Sequence, residues 1–287
     1  MTTSIDDLKS VYFWRAVAAE LLGTLLLVFV GCGSCLSWED LNRIPKADYS
    51  PLVQIAFCFG LSVATIVWGI GHISGGHINP AVTCAFFVTR RISLAKGVLY
   101  IGAQCSGAIL GAEILKAIIP HQRWNFLGNT TINKEMDEVG AIGVEFLITF
   151  VLVFTVLASC DGQRNDLKGS APLSIGLSVT MCHLFAIPLT GSSMNSARSF
   201  GPAVAMNSWQ DHWVYWIGPI SGGVVAGLLY KYVFTANVSM RKVKQFLLGS
   251  KCEVKDVPVH ERKVKIRYDE DDEETTKFLK IQDESVL

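Results

Sequence analysis

Ser74-Gly75-Gly76-His77-Ile78-Asn79-Pro80-Ala81-Val82-Thr83 and Met194-Asn195-Ser196-Ala197-Arg198-Ser199-Phe200-Gly201-Pro202 decide the fold of this 287-residue chain. In each, turn-forming or small residues lead to an asparagine that opens an apolar stretch, residues 79–88 and 195–206, too short to cross a bilayer. Asparagine is a good helix cap, and Pro80 suits the first helical position, where a helix leaves the N–H unpaired anyway. Such broken helices are tolerated at membrane depth only where protein or a water-filled cavity satisfies their backbone, so the pair reads as two re-entrant half-helices. Arg198 at that depth is a functional residue by default, because an intramembrane charge is costly.

Outward from the motifs the chain is apolar. Half of its residues are hydrophobic and 17% are charged, which excludes an ordinary soluble domain. The 25 basic and 25 acidic residues cancel and gather in termini and loops, so nothing in the charge points to nucleic acid. Six runs, near residues 16–36, 52–70, 97–119, 139–159, 171–190 and 213–234, are long enough to cross about 30 Å of hydrocarbon at about 1.5 Å per residue. Lys9, Arg90, Arg91, Lys96, Arg164 and Lys168, with the basic residues after 230, fall on one side; Arg43, Lys46, Lys116, Arg123 and Lys134 fall on the other. The positive-inside rule then puts both termini in the cytoplasm. Cys32, Cys35, Cys58, Cys84, Cys105 and Cys182 lie in apolar or small-residue stretches and read as core residues.

The two halves repeat. Gly60-Leu61-Ser62-Val63 recurs as Gly176-Leu177-Ser178-Val179, and the same offset of 116 carries Asn79 onto Asn195 and Gly102, Gly107 and Gly111 onto Gly218, Gly223 and Gly227. Glu20 and Thr24 match Glu145 and Thr149. Three spans per unit is an odd number, so the second copy enters from the opposite face, an inverted repeat with its functional site near the midplane. The expected organisation is an N-terminus at 1–10, a first repeat at 11–119, an outside connection at 120–138, a second repeat at 139–234 and a cytoplasmic tail at 235–287. The GxxxG glycines read as helix-packing positions. Glu20 and Glu145 read as structural polar support beside His77, while Glu113 and Lys116 lack repeat partners and read as a local helical pair.

In both motifs and the spans around them the chain resembles the aquaporin family over nearly all of residues 11–234. The resemblance implies an all-α membrane fold of six spans and two half-helices, with Asn79-Pro80-Ala81 and Asn195-Ser196-Ala197 meeting at the centre of a water pore. It implies a selectivity filter of Phe59, His183, Ser192 and Arg198, the orthodox water-selective combination. Glycerol-passing relatives usually carry a small residue in place of His183 and aspartate in place of Ser199. Ser196 departs from the family's usual proline, and Ser192 stands where several relatives have a mercury-sensitive cysteine. The resemblance further implies a homotetramer in the plasma membrane, with no cofactor, metal or catalytic residue. A broader pore passing glycerol, urea or peroxide, and an adhesion protein with little flux, are the alternatives.

Regulatory signals are short. Asn129-Thr130-Thr131 lies on the outside as a glycosylation sequon, and Arg90-Arg91-Ile92-Ser93 is a basophilic kinase pattern that doubles as a helix cap. Residues 240–248 form a basic amphipathic stretch, 269–274 an acidic run, and Ser285-Val286-Leu287 resembles a PDZ-binding terminus.

Overall fold

The computed structural model describes residues 7–36, 51–124, 126–164, 166 and 169–236. The basic stretch at 240–248, the acidic run and the Ser285-Val286-Leu287 terminus lie outside the described residues. The chain forms α1 (Val11–Gly33), α2 (Leu52–Ser74), the short α3 (Pro80–Val88), α4 (Leu94–Ile118), α5 (Glu138–Ser159), α6 (Ala171–Thr190), the short α7 (Ser196–Met206) and α8 (Val214–Leu229), which continues as a π turn through Tyr230–Phe234. Six of these are long and apolar enough to cross a membrane. Caps set several boundaries: Ser93 Oγ accepts from Lys96 N, Asp137 Oδ1 from Gly140 N, and Ser170 Oγ from Leu173 N. α2 and α6 both end on a left-handed glycine, Gly75 at φ 95° and Gly191 at φ 75°, where a Cβ would be strained.

α1 packs on α2 and α4, α5 packs on α6 and α8, and α2 and α6 pack on each other. The half-helices cross over. α7 of the second repeat lies against α4 of the first, and α3 of the first lies against α8 of the second. Close approach needs glycine: a Cβ on Gly107 would sit 2.1 Å from Leu21 O, and one on Gly222 would sit 2.1 Å from Phe146 O. The outer surface carries large exposed apolar side chains such as Leu61, Leu147 and Phe185. Cys32 and Cys182 are buried as expected, but Cys35, Cys58, Cys84 and Cys105 are only partly so.

These contacts correct the repeat register in the last span of each half. Gly107 meets α1 where Gly222 meets α5, and Tyr100 Oη donates to Ser74 O at 2.8 Å where Tyr215 Oη donates to Thr190 O at 2.9 Å. α4 therefore corresponds to α8 at an offset of 115, one less than in the half-helices. Gly223 instead faces Ala81 O of α3, where a Cβ would come within 2.8 Å. The Gly222-Gly223 pair lets one turn of α8 serve both neighbours.

Beyond α5, Asp161 ties the end of α8 down. Its Oδ2 accepts from Tyr230 Oη at 2.9 Å, Ala236 N at 3.1 Å and Thr235 Oγ1 at 3.4 Å, and its Oδ1 accepts from Gln163 N at 3.1 Å. Burial pushes this carboxyl up, but the four hydrogen bonds outweigh it and hold it below the usual carboxylate range. A depressed folded-state value means that the stabilisation is complete above the ordinary carboxylate value, near about 3.9, and is lost as pH falls through the folded one. Thermal melting of the detergent-solubilised protein should fall on acidification below that value by more than melting of Asp161→Asn does. Parallel curves would remove Asp161 as the cause.

Candidate functional site

The centre is built by two buried carboxylates. Glu20 Oε1 accepts from Ser74 Oγ at 2.6 Å and His77 N at 2.9 Å, and Oε2 accepts from Ile78 N at 2.6 Å and Gln104 Nε2 at 2.8 Å. Glu145 repeats the scheme: Oε1 accepts from Thr190 Oγ1 at 2.6 Å and Ser193 N at 2.9 Å, and Oε2 accepts from Met194 N at 2.9 Å. Each loop before a half-helix thus has its N–H groups satisfied inside the protein, which the absence of water in hydrocarbon demands. Ser74 and Thr190 were missed in the sequence, although both are hydroxyl residues at the offset of 116. His77 does more than expected of a neighbour. Its N–H goes to Glu20, its Nδ1 lies 3.1 Å from Thr83 Oγ1, and its ring packs on Phe86 and Tyr100.

Held this way, the loops cross-link the asparagines. Asn79 Nδ2 donates to Met194 O and Asn195 Nδ2 donates to Ile78 O, both at 2.8 Å. The two carbonyls belong to residues with positive φ, Ile78 at 43° and Met194 at 55°, a costly conformation for a β-branched side chain such as isoleucine. The amide oxygens cap their own half-helices: Asn79 Oδ1 accepts from Ala81 N at 2.8 Å, and Asn195 Oδ1 from Ala197 N at 3.0 Å and Arg198 N at 3.2 Å. An amide nitrogen has two hydrogens, so each asparagine keeps a second N–H beyond the one spent on the opposite loop.

Ser196 leaves this capping intact, but its hydroxyl is buried without a hydrogen-bond partner among the described residues. Leaving a buried hydroxyl unpaired costs about 1–3 kcal/mol. Ser196→Ala should therefore raise stability by about 1 kcal/mol, and Ser196→Pro, which also restricts the unfolded chain, by a similar amount. Thermal melting of the purified variants checks this; lower melting temperatures for both would contradict it.

A cavity of about 510 Å³ runs past both asparagines, from Trp68, His72 and Cys160 at one end to Phe59, His183 and Arg198 at the other. A second cavity of about 350 Å³ begins beyond, bordered by Cys35, Asn129 and Gly191, and Arg198 lines both. The constriction is the partition between them. The Phe59 and His183 rings stack 4.8 Å apart at an interplanar angle of 30°, and the Arg198 guanidinium carbon sits 4.7 Å from the Phe59 centroid. Gly31 makes room for Phe59, since a Cβ there would fall 2.4 Å from the ring. His183 Nδ1 is fixed 3.1 Å from Val179 O, leaving Nε2 without a protein partner among the described residues. Arg198 Nη1 donates to Gly128 O at 2.6 Å and lies 3.6 Å from Cys32 Sγ, while its Nε has no partner among the described residues. The structure brings Phe59, His183 and Arg198 together. Ser192 lines neither cavity; it is fully buried at φ 52°, and its hydroxyl has no partner among the described residues.

The peripheral expectations fare differently. Asn129 is buried, and its Nδ2, the atom to which a glycan attaches, donates to Ser208 Oγ at 2.8 Å; Thr130 Oγ1 donates to Ser199 Oγ at 2.8 Å. Ser93 caps α4 and its hydroxyl donates to the Asp7 carboxylate. Lys116 does not pair with Glu113 among the described residues; its ammonium donates to Ala205 O at 2.5 Å and lies 5.1 Å over the Trp124 ring. Nor does any group of three or more His, Cys, Asp or Glu among the described residues converge as a metal site would require.

Residues 7–230 match the family described as Major intrinsic protein. The chain is 51% identical to aquaporin-4 of Mus musculus over 252 residues, covering 85% of this chain and 77% of that protein. It is 43% identical to aquaporin-1 of Sus scrofa over 236 residues, covering 82% and 87%. Among solved structures, the aquaglyceroporin from Plasmodium falciparum matches with a TM-score of 0.68 over 77% of this chain and 96% of that one; at 24% identity this bears on the fold alone.

Proposed function

The chain belongs to the major intrinsic protein family, and we propose that it works as a passive, water-selective channel driven by osmotic gradients. One observation carries this reading: two capping asparagines, each with an N–H to spare, line one cavity that reaches Arg198, where a second cavity begins. A water molecule that accepts from both amides has its lone pairs engaged and does not relay a proton, and the positive poles of α3 and α7 repel cations. Phe59 and His183 narrow the opening. Arg198 and the Nε2 of His183 offer the hydrogen bonds that replace bulk solvation, while Glu20, Glu145 and His77 hold the loops in place. Ser192 stands beside this filter: its turn follows Gly191, which borders the outer cavity. The protein transports and does not catalyse, and it is a multi-pass protein of the lipid bilayer.

The same reading includes the plasma membrane, cytoplasmic termini, a homotetramer with one pore per subunit, and a PDZ-domain partner at Ser285-Val286-Leu287. Its support is the family and the bias of Lys and Arg between the two sides. Asn129 stays unglycosylated in it, because a glycan on Nδ2 would break the Ser208 contact and unpack Thr130; digestion with an N-glycosidase should leave the electrophoretic mobility unchanged. Phosphorylation of Ser93 would set a second negative charge against Asp7 and release the segment that Asp7 anchors.

Stopped-flow shrinkage of proteoliposomes after a hyperosmotic step tests the function. Reconstituted protein should raise water permeability severalfold above that of empty vesicles, and equal permeabilities would overturn the proposal.

A further inference from the structure

Two lysines occupy equivalent places once the last spans are aligned at an offset of 115: Lys116 near the end of α4 and Lys231 in the π turn that continues α8. Lys116 Nζ donates to Ala205 O at 2.5 Å, in the last turn of α7. Lys231 Nζ donates to Thr89 O at 2.9 Å, and Thr89 is the C-cap of α3. The arrangement is crossed, since each lysine serves the half-helix supplied by the other repeat. Each also has an aromatic ring beneath its ammonium, Trp124 at 5.1 Å and Tyr232 at 5.2 Å. Both side chains are half-buried.

The last carbonyls of a helix carry roughly half a negative charge, and the first N–H groups roughly half a positive one. In α3 and α7 the positive poles are at the asparagines and the negative poles are where these ammonium groups sit. At about 1.5 Å per residue, the 9 and 11 residues of the two half-helices separate their poles by about 14 and 17 Å. An uncapped negative pole at that distance cancels part of the positive potential at the pore centre. An ammonium bonded to it reverses the sign of that contribution.

We propose that Lys116 and Lys231 are specificity-determining residues of the pore, which terminate the negative ends of the crossed half-helix dipoles and so raise the electrostatic barrier to cations at the asparagines. The proposal rests on the channel reading above and deepens it. A unit charge about 15 Å away, at an effective dielectric of about 20, changes the passage of a monovalent cation about sixfold; discounting for solvent leaves about threefold per lysine and about tenfold for both.

The test uses the full chain in proteoliposomes, in an Arg198→Val background that takes away the filter's own cation and exposes the barrier at the asparagines. Proton flux under an inside-negative potassium diffusion potential is read beside osmotic water flux in the same vesicles. The ratio of proton to water flux should rise about tenfold on adding Lys116→Met and Lys231→Met, return to the Arg198→Val value with arginine at both positions, and rise further with glutamate. A role confined to anchoring the half-helices would alter melting temperature and water flux without ordering the ratio by charge. Equal ratios for the methionine and arginine pairs, or proton flux at the empty-vesicle level in the methionine triple variant, would overturn the proposal. If the methionine pair does not reach the vesicles, the single variants carry the same test at about threefold each. Absence of water flux in the unaltered chain would instead overturn the channel reading.

Discussion

Replacing His183 with glycine should open the pore to glycerol, raising its uptake into proteoliposomes by about tenfold while water permeability stays within about twofold, since steric discrimination by one missing group is commonly of that order. The imidazole is one wall of the constriction. It stacks 4.8 Å from Phe59, and its Nδ1 is tied to Val179 O. Without it, the space beside Arg198 widens and Phe59 loses its stacking partner, while the asparagines at the centre keep their loops and caps. Unchanged glycerol uptake in a variant that still conducts water would place the size limit elsewhere in the cavity.

Removing either buried carboxylate should cost more than any change at the filter. Glu20→Ala strands the Ser74 hydroxyl, the N–H groups of His77 and Ile78, and one Gln104 donor; Glu145→Ala strands the Thr190 hydroxyl and the N–H groups of Ser193 and Met194. At about 1–3 kcal/mol for each buried group left unpaired, the sum rivals a net stability of about 5–15 kcal/mol. Neither alanine variant should give a monodisperse folded peak in detergent, and Glu20→Ala should be the more severe by one donor. Glutamine at either site keeps one acceptor oxygen and should be intermediate. A Glu20→Ala protein that melts with the wild type would show that water or a neighbouring group satisfies these donors instead.

How much of this could be read beforehand depended on whether the signal lay in side chains. The half-helices were legible because capping and the proline position are local chemistry, and because Asn79 and Asn195 occur twice in the same setting. Glu20 and Glu145 stood out as charges in apolar spans. Gly128 did not, since it contributes a backbone carbonyl and a close approach to Cys32, neither of which leaves a residue-type pattern. The register of α8 was misread for a definite reason. Both Gly222 and Gly223 could match Gly107, and the motif's own offset favours Gly223; Tyr100 and Tyr215, at 115, carried the correction. That one-residue error is also why Lys116 looked partnerless and was assigned to Glu113. The sequon at Asn129 is a tripeptide pattern that carries no information about burial, and the fold buries it against Ser208. Ser192 came from the family's filter positions, and in the fold it lines neither cavity.

The central claim is that water crosses this pore in a file broken for protons at Asn79 and Asn195. Osmotic water flux and proton flux, recorded in the same proteoliposomes containing the unaltered chain, test it most directly. Water permeability well above that of empty vesicles, with proton flux indistinguishable from theirs, is the predicted result; proton flux that rises in proportion to water flux would contradict it.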